Sequence, residues 1–220
     1  MKKRLILLFI AAFLPTIAQI IAKLSGSYSI GLTTRILVHF VIPVLAVSYV
    51  SKISLKESFL RPLHFKNKRK TILLAFFGGI LSLIIIVVSL FIFMNLLDFN
   101  SIKENLEKIN VTPSTYLYVA LIIIFVNPFL EEYFWRGFVF RVFDKYWKGY
   151  WTGILFALHH MIIIYQWFNW WQFLLITIFL SLIGLLFNWM YKQTDSIYAS
   201  WFTHFIADLI IVIIGWIYVF

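Results

Sequence analysis

Seven apolar stretches, each close to the length of a membrane-crossing helix, decide most of what this chain can fold into. They occupy approximately residues 5–22, 30–50, 71–97, 116–140, 150–165, 170–190 and 197–220. A helix rises about 1.5 Å per residue, so about 20 apolar residues reach across a hydrocarbon core. Backbone polar groups in lipid must be satisfied within the segment, which makes a helix the spanning form for runs of this kind. Composition agrees: the chain is 62% hydrophobic and 13% charged over 220 residues, with mean hydropathy +0.92, more apolar than the core of a soluble domain requires. The expected fold is all-α, a polytopic transmembrane helical bundle of about seven spans. A break inside 71–97, or a re-entrant piece near 165–171, would make it eight. With no Gly/Ser-rich linker, repeat or low-complexity tail, residues 1–220 are expected to form a single membrane domain.

The charges sort by loop. A formal net charge of +10 would suit nucleic acid in a soluble chain, but here the cations fill the gaps between apolar runs, so no nucleic-acid partner is expected. Lys2, Lys3 and Arg4 precede the first run. Lys52, Lys56, Arg61, Lys66, Lys68, Arg69 and Lys70 crowd the second loop against the single acid Glu57, and Arg141, Lys145 and Lys148 fill the fourth. The loop after the third run is close to neutral, with Asp98, Lys103, Glu104, Glu107 and Lys108. The positive-inside rule then puts the N-terminus in the cytoplasm and, with seven spans, the C-terminus outside. The basic start followed by an apolar run reads as a retained first span rather than a cleaved signal, because no small-x-small site ends it. Apolar residues interleave with the cations of 51–70, a pattern that suits contact with membrane lipids at anionic headgroups; a purely topogenic charge cluster is the plainer alternative.

Ionisable residues within spans cost about 2.5–3.5 kcal/mol each on insertion scales, so those that remain face a bundle interior and act there. Three segments carry them. Glu132 and Arg136 are four apart and share a helix face, where they can pair; Glu131 lies about 100° away, left free of that arginine. One acid then holds the arginine while the other is presented to a cavity as a base. Pro128, just upstream, removes a backbone donor and can open the helix. The plainer reading is a snorkelling charge cluster. In the fifth run Phe156 and His160 share a face, while His159 points about 100° away, so two adjacent histidines compete for one role. In the seventh, His204 and Asp208 are four apart, and the aspartate can orient the imidazole or clamp two helices. His39 and His64 have no acid nearby in sequence and read as structural or solvated. Cysteine is absent, which excludes disulfides, thiolate nucleophiles and cysteine-ligated zinc.

In order, Glu131-Glu132-x-x-x-Arg136, Phe156-x-x-x-His160 and His204-x-x-x-Asp208 resemble the motif set of the CPBP family of intramembrane proteases, also called the Abi or CAAX type II prenyl protease family. The resemblance covers roughly residues 116–208. The family's third motif usually ends in asparagine, with aspartate an accepted variant. An amide can donate to an oxyanion, whereas an ionised carboxylate cannot.

The resemblance implies an intramembrane endopeptidase acting on a peptide or membrane-protein substrate. By that analogy Glu131, helped by His160, activates a water, and His204 with Asp208 stabilises the oxyanion, while Glu132 and Arg136 serve structure. The resemblance also suggests a multi-pass protein of a bacterial plasma membrane. As to a cofactor, Glu131, His160 and His204 would satisfy the ligand count of a catalytic zinc site with an open position. The favoured expectation is none, because a zinc site wants each histidine held by an outer acceptor and only Asp208 is spaced to reach one along its own helix. A non-catalytic bacteriocin-immunity or membrane scaffold protein of the same fold is the main alternative, disfavoured by three intact motifs. A transporter would place its polar residues in two related halves; here they cluster in the C-terminal half.

Overall fold

The computed structural model describes residues 2–147, 149–165 and 168–220. Among these the regular structure is helical throughout, and nine helices serve as a frame: α1 Lys2–Ser25, α2 Tyr28–Ser51, α3 Leu55–Leu60, α4 Lys68–Leu96, α5 Phe99–Glu107, α6 Pro113–Asp144, α7 Thr152–Ile164, α8 Trp170–Thr194 and α9 Tyr198–Tyr218. Of these, α2, α4, α6, α8 and α9 are long and apolar enough to cross a membrane, and α1 and the 13-residue α7 occupy the two remaining apolar stretches. The chain is an all-α integral membrane protein. Residues 68–93 form one unbroken helix, so the break that would have added a span is not there. The re-entrant alternative near 165–171 falls partly outside the described residues, as does Lys148 of the fourth loop.

Helix starts are set locally. The side chains of Ser54, Asn67, Asp98 and Asn169 each accept from a backbone N–H in the first turn that follows, and Gln172 returns the bond to Asn169. These bonds satisfy donors that have no partner inside the helix.

Two spans leave α geometry at related places. Wide π turns occur at Leu37–Val41 in α2 and Ile122–Val126 in α6, and each lies just before a proline, Pro43 or Pro128. A proline ring crowds the carbonyl four residues back and gives it no N–H, here the carbonyls of His39 and Ile124, and a widened turn accommodates that. A second π segment, Tyr133–Phe140, follows directly after the two acids. The distorted middle of α6 is also the most enclosed part of the fold: Phe134, Trp135, Phe138, Val139 and Phe143 pack with Val47 of α2, Ala11 and Ala12 of α1, and Phe156 of α7.

Small residues let helix axes approach. At Gly153 and Gly184 the backbones of α7 and α8 touch, since a Cβ on Gly184 would lie 2.5 Å from the Gly153 carbonyl oxygen. Gly78 of α4 receives Thr203 of α9 in the same way. Both are close approaches of the kind that drive helix pairing where lipid removes any hydrophobic incentive. Outward faces are apolar, as at Phe76, Phe77, Phe91, Ile92, Trp216 and Ile217, and polar groups turn inward.

The two ends of the bundle sort themselves. At one, Lys66 pairs with Asp195 at 3.6 Å, Lys192 with Asp144 at 3.2 Å, and Ile197 N–H donates to the Pro62 carbonyl. At the other, Lys23 meets Tyr165, Gln172 donates to the Leu96 carbonyl, and Phe99 stacks on Tyr218. The basic loop 51–70 does more than lie on the first end. Ser58 and Pro62 are buried in it, Tyr133 donates to the carbonyl of Phe59, and Pro62 sits against Gly137.

Candidate active site

The buried polar residues converge beside the distorted stretch of α6. Glu131, Glu132, Arg136 and His159 are all almost wholly enclosed, and His204 is 7% exposed. Arg136 Nη1 donates to Glu132 Oε1 at 2.8 Å, the pairing that the four-residue spacing predicts. Its Nη2 donates to the Gly184 carbonyl at 3.1 Å, and the guanidinium lies over the rings of Phe156 and Phe187 at 4.4 and 4.9 Å. Arg136 thereby ties α6 to α7 and α8. A buried cation needs this many partners to offset its lost hydration.

The two acids point to different neighbours. Glu131 faces α7, with Oε2 3.4 Å from His160 Nε2 and Oε1 3.8 Å from His159 Nε2. Glu132 faces α9 as well as Arg136: the same Oε1 that takes Nη1 also accepts from His204 Nδ1 at 3.1 Å. His204 Nε2 then stands 3.7 Å from Asp208 Oδ1. The imidazole of His204 is held between two carboxylates, one on its own helix and one across the bundle.

The tautomers of His159 and His160 follow from a single acceptor. His159 Nδ1 is 2.6 Å and His160 Nδ1 2.8 Å from the Phe156 carbonyl oxygen. A carbonyl only accepts, so both rings carry a proton on Nδ1, and each turns its Nε2 toward Glu131. Phe156 thus serves twice, with its ring under Arg136 and its carbonyl under both histidines. Sequence spacing showed no side-chain acceptor for His160; the backbone supplies it, because the carbonyls three and four residues back lie within reach along the helix.

Two ring nitrogens and a carboxylate therefore face one another. Glu131 Oε2 and His159 Nε2 are buried without a hydrogen-bonding partner among the described residues. One ligand atom from each of Glu131, His159 and His160 falls within 4.8 Å of the others. This donor set fits a divalent transition metal, with each ring held by an outer acceptor as metal-binding histidines are. It equally suits a tightly held water, which donates two hydrogen bonds. His204, the third member of the zinc set expected from sequence, stands outside this cluster, with its Nδ1 committed to Glu132.

His39, read from sequence as structural or solvated, and two residues that sequence reading passed over, Arg35 and Asn127, also reach this place. His39 is fully enclosed, donates from Nδ1 to the Arg35 carbonyl at 3.1 Å, and lies with its ring centroid 6.3 Å from that of His159. It arrives through tertiary packing of α2, which no spacing along α2 reveals. Arg35 donates from Nη1 to Asn127 Oδ1 at 2.5 Å. Asn127 itself lies one turn before Glu131 on α6. A signal existed for Arg35, since it is an arginine within an apolar run.

Residues 113–210 match the family model described as type II CAAX prenyl endopeptidase, Rce1-like. Over those residues the chain is similar to that family. The matched segment runs from the start of α6 into α9 and contains all three motifs on which the resemblance was read. No curated protein and no solved structure matches the chain.

Proposed function

We propose that this protein is an intramembrane endopeptidase, hydrolysing peptide bonds of membrane-embedded or membrane-proximal substrates through a water activated at Glu131. The observation that carries the reading is the division between the acids. Glu132 is committed to Arg136 and His204, while Glu131 is enclosed, unpaired with any lysine or arginine among the described residues, and faced by two imidazoles.

The chemistry follows from that division. A water between Glu131 and His160 donates one hydrogen bond to each and is oriented with its oxygen lone pair outward. As that oxygen bonds to the scissile carbonyl carbon, Glu131 takes the proton and the carbonyl π pair moves to oxygen. Collapse of the tetrahedral intermediate re-forms the carbonyl and breaks the C–N bond, and Glu131 returns the proton to the departing amine. His204, oriented by Glu132 and Asp208, supplies donor stabilisation to the oxyanion. Were a metal bound, Glu131, His159 and His160 would hold it, and it would lower the pKa of a bound water and polarise the carbonyl. Arg136 holds α6, α7 and α8 in register so that these groups stay placed.

The charge sorting of the loops supports an orientation with the N-terminus in the cytoplasm, and the family resemblance suggests a bacterial plasma membrane. The test compares new peptide termini in membranes from cells producing the wild type or Glu131→Gln, followed by cleavage of a pool of hydrophobic quenched-fluorescent peptides by each purified protein in liposomes. Termini and fluorescence that require Glu131 are expected. Identical termini in both membranes, with no cleavage of the pool by the wild type, would instead favour a binding or immunity role.

A further inference from the structure

We infer that the head of α4 binds one anionic phospholipid, with Lys68 and Arg69 holding its phosphate at the membrane surface and Ile72 and Leu73 receiving an acyl chain. The inference is independent of the hydrolysis proposed above, since no residue of the candidate active site takes part.

Charge is the first ground. The basic loop carries more cations than its own contacts consume. Lys66 pairs with Asp195 at 3.6 Å and Lys70 donates to the side-chain oxygen of Gln193, so both fasten the head of α4 to the turn between α8 and α9. Lys68 and Arg69 stand between them in sequence, are exposed, and pair with no carboxylate among the described residues. Two adjacent cations with no acid beside them attract an anionic headgroup, whereas a zwitterionic one brings a phosphate already neutralised by its own ammonium.

Shape is the second ground. Lys68, Arg69, Ile72 and Leu73 together line a groove of about 420 Å³ with apolar walls, a volume within the usual range for small-molecule sites. Residues 68 and 72, like 69 and 73, are four apart, so each cation stands one turn from an apolar residue on the same face. Helical side chains lean toward the N-terminus of their helix, here the loop end. The two cationic stems therefore reach toward the headgroups, and Ile72 and Leu73 lie one turn deeper, against hydrocarbon. One turn further on, Phe76 and Phe77 are exposed on the same face, and then Ile80 and Leu81. Thr71 and Gly78, on the other face, are buried. A chain leaving the groove finds a continuous apolar lane along α4.

The two grounds together select the occupant. A small soluble anion would use the cations and leave the apolar walls bare. A phospholipid carries phosphate and chain on one molecule, with the phosphate at the surface and the chain below it, in the order in which the groove presents its cations and its apolar walls. Each cation near the surface strengthens the hold on an anionic lipid by about fivefold.

Because the chain has no cysteine, Phe76→Cys and Phe91→Cys each give the full protein a single site for a small fluorophore, one beside the groove and one near the far end of the same helix. Each labelled protein is reconstituted in vesicles of phosphatidylcholine and phosphatidylglycerol in equal amounts, with bromine on the acyl chains of one lipid or the other, and quenching reads which lipid is the neighbour. At position 76 phosphatidylglycerol is expected to be preferred by about tenfold or more, and at position 91 by less than about twofold. In the Phe76→Cys background, Lys68→Gln and Arg69→Gln should each lower the preference by about three- to fivefold, and together bring it to the value at 91. Lys56→Gln removes the same charge from an exposed position elsewhere in the loop and should leave the preference unchanged. A loss in Lys56→Gln equal to that in Lys68→Gln would mean a diffuse field rather than a site, and overturns the inference. Equal preference at 76 and 91 overturns it as well. Glycerophosphoglycerol, the headgroup without its chains, is added in excess and should not displace the lipid; full displacement would reduce the groove to a site for a soluble anion, which also overturns the inference. All substituted positions are exposed, and unchanged thermal unfolding in detergent is the accompanying control.

Discussion

At the scale of single residues the two adjacent acids carry opposite burdens, and substitution should separate them. Glu132→Gln takes the charge partner from an enclosed Arg136 and weakens the anchor of His204, a break of a buried pair costing about 3–5 kcal/mol. Glu131→Gln removes no ion pair with lysine or arginine and should unfold close to wild type while losing cleavage. Denaturant unfolding in detergent checks both, and a Glu132→Gln protein as stable as the wild type would sink the division of labour. Loaded with zinc, the purified protein should hold it in stoichiometric amount, as metal analysis after gel filtration reads. His159→Ala and His160→Ala should release it and His204→Ala should keep it. Release by His204→Ala would put the third ligand on α9. Much of this was legible in sequence: the Glu132 to Arg136 pair and the free Glu131 follow from a four-residue step on one helix. What crosses between helices was not. Glu132 reaching His204, Phe156 O under both histidines, and His39 beside His159 depend on packing and on backbone acceptors that no side-chain spacing encodes.

At the scale of elements the site is held by distortions and close crossings. The prolines behind the π turns of α2 and α6 were visible in the sequence, and Pro128 was read as an opening in its helix; that the response would be a widened turn rather than a kink depends on what surrounds it. The glycine contact of α7 with α8 gave no comparable sign. A Cβ at Gly184 would meet the Gly153 backbone at 2.5 Å, and backbone cannot rotate away. Gly184 also offers its carbonyl to Arg136, so pushing the helices apart loosens that anchor as well. Gly184→Ala should therefore destabilise by about 1–3 kcal/mol, as overpacked positions do, and should reduce cleavage through misplaced motif residues. Gly79→Ala is the matched control, since its new Cβ would find only ordinary contact with Ile206 and Phe202. Equal unfolding temperatures for the two variants would mean that the crossing tolerates a methyl group and that Arg136 is held some other way.

At the scale of the whole molecule, charge and packing give the same division into two ends. The loops at 51–70 and around Asp144 and Lys192 meet through ion pairs at one end, and the neutral loop before α6 lies at the other. The alternation of basic and neutral gaps in sequence anticipated this, because each span reverses direction and carries the next loop to the opposite side. Positive loops favour the cytoplasmic side, so we propose that 51–70 lies there and residue 114 outside. The absence of cysteine makes the orientation directly measurable. Single cysteines at Ser51, Ser114 and Lys192, all exposed positions, would be offered an impermeant thiol reagent in intact cells and again after lysis. Labelling of 114 in intact cells, with 51 and 192 reacting only after lysis, is the expected pattern. The reverse pattern would invert the protein in its membrane, and a split between 51 and 192 would contradict the shared end, since Lys66 to Asp195 and Lys192 to Asp144 require both loops on one side.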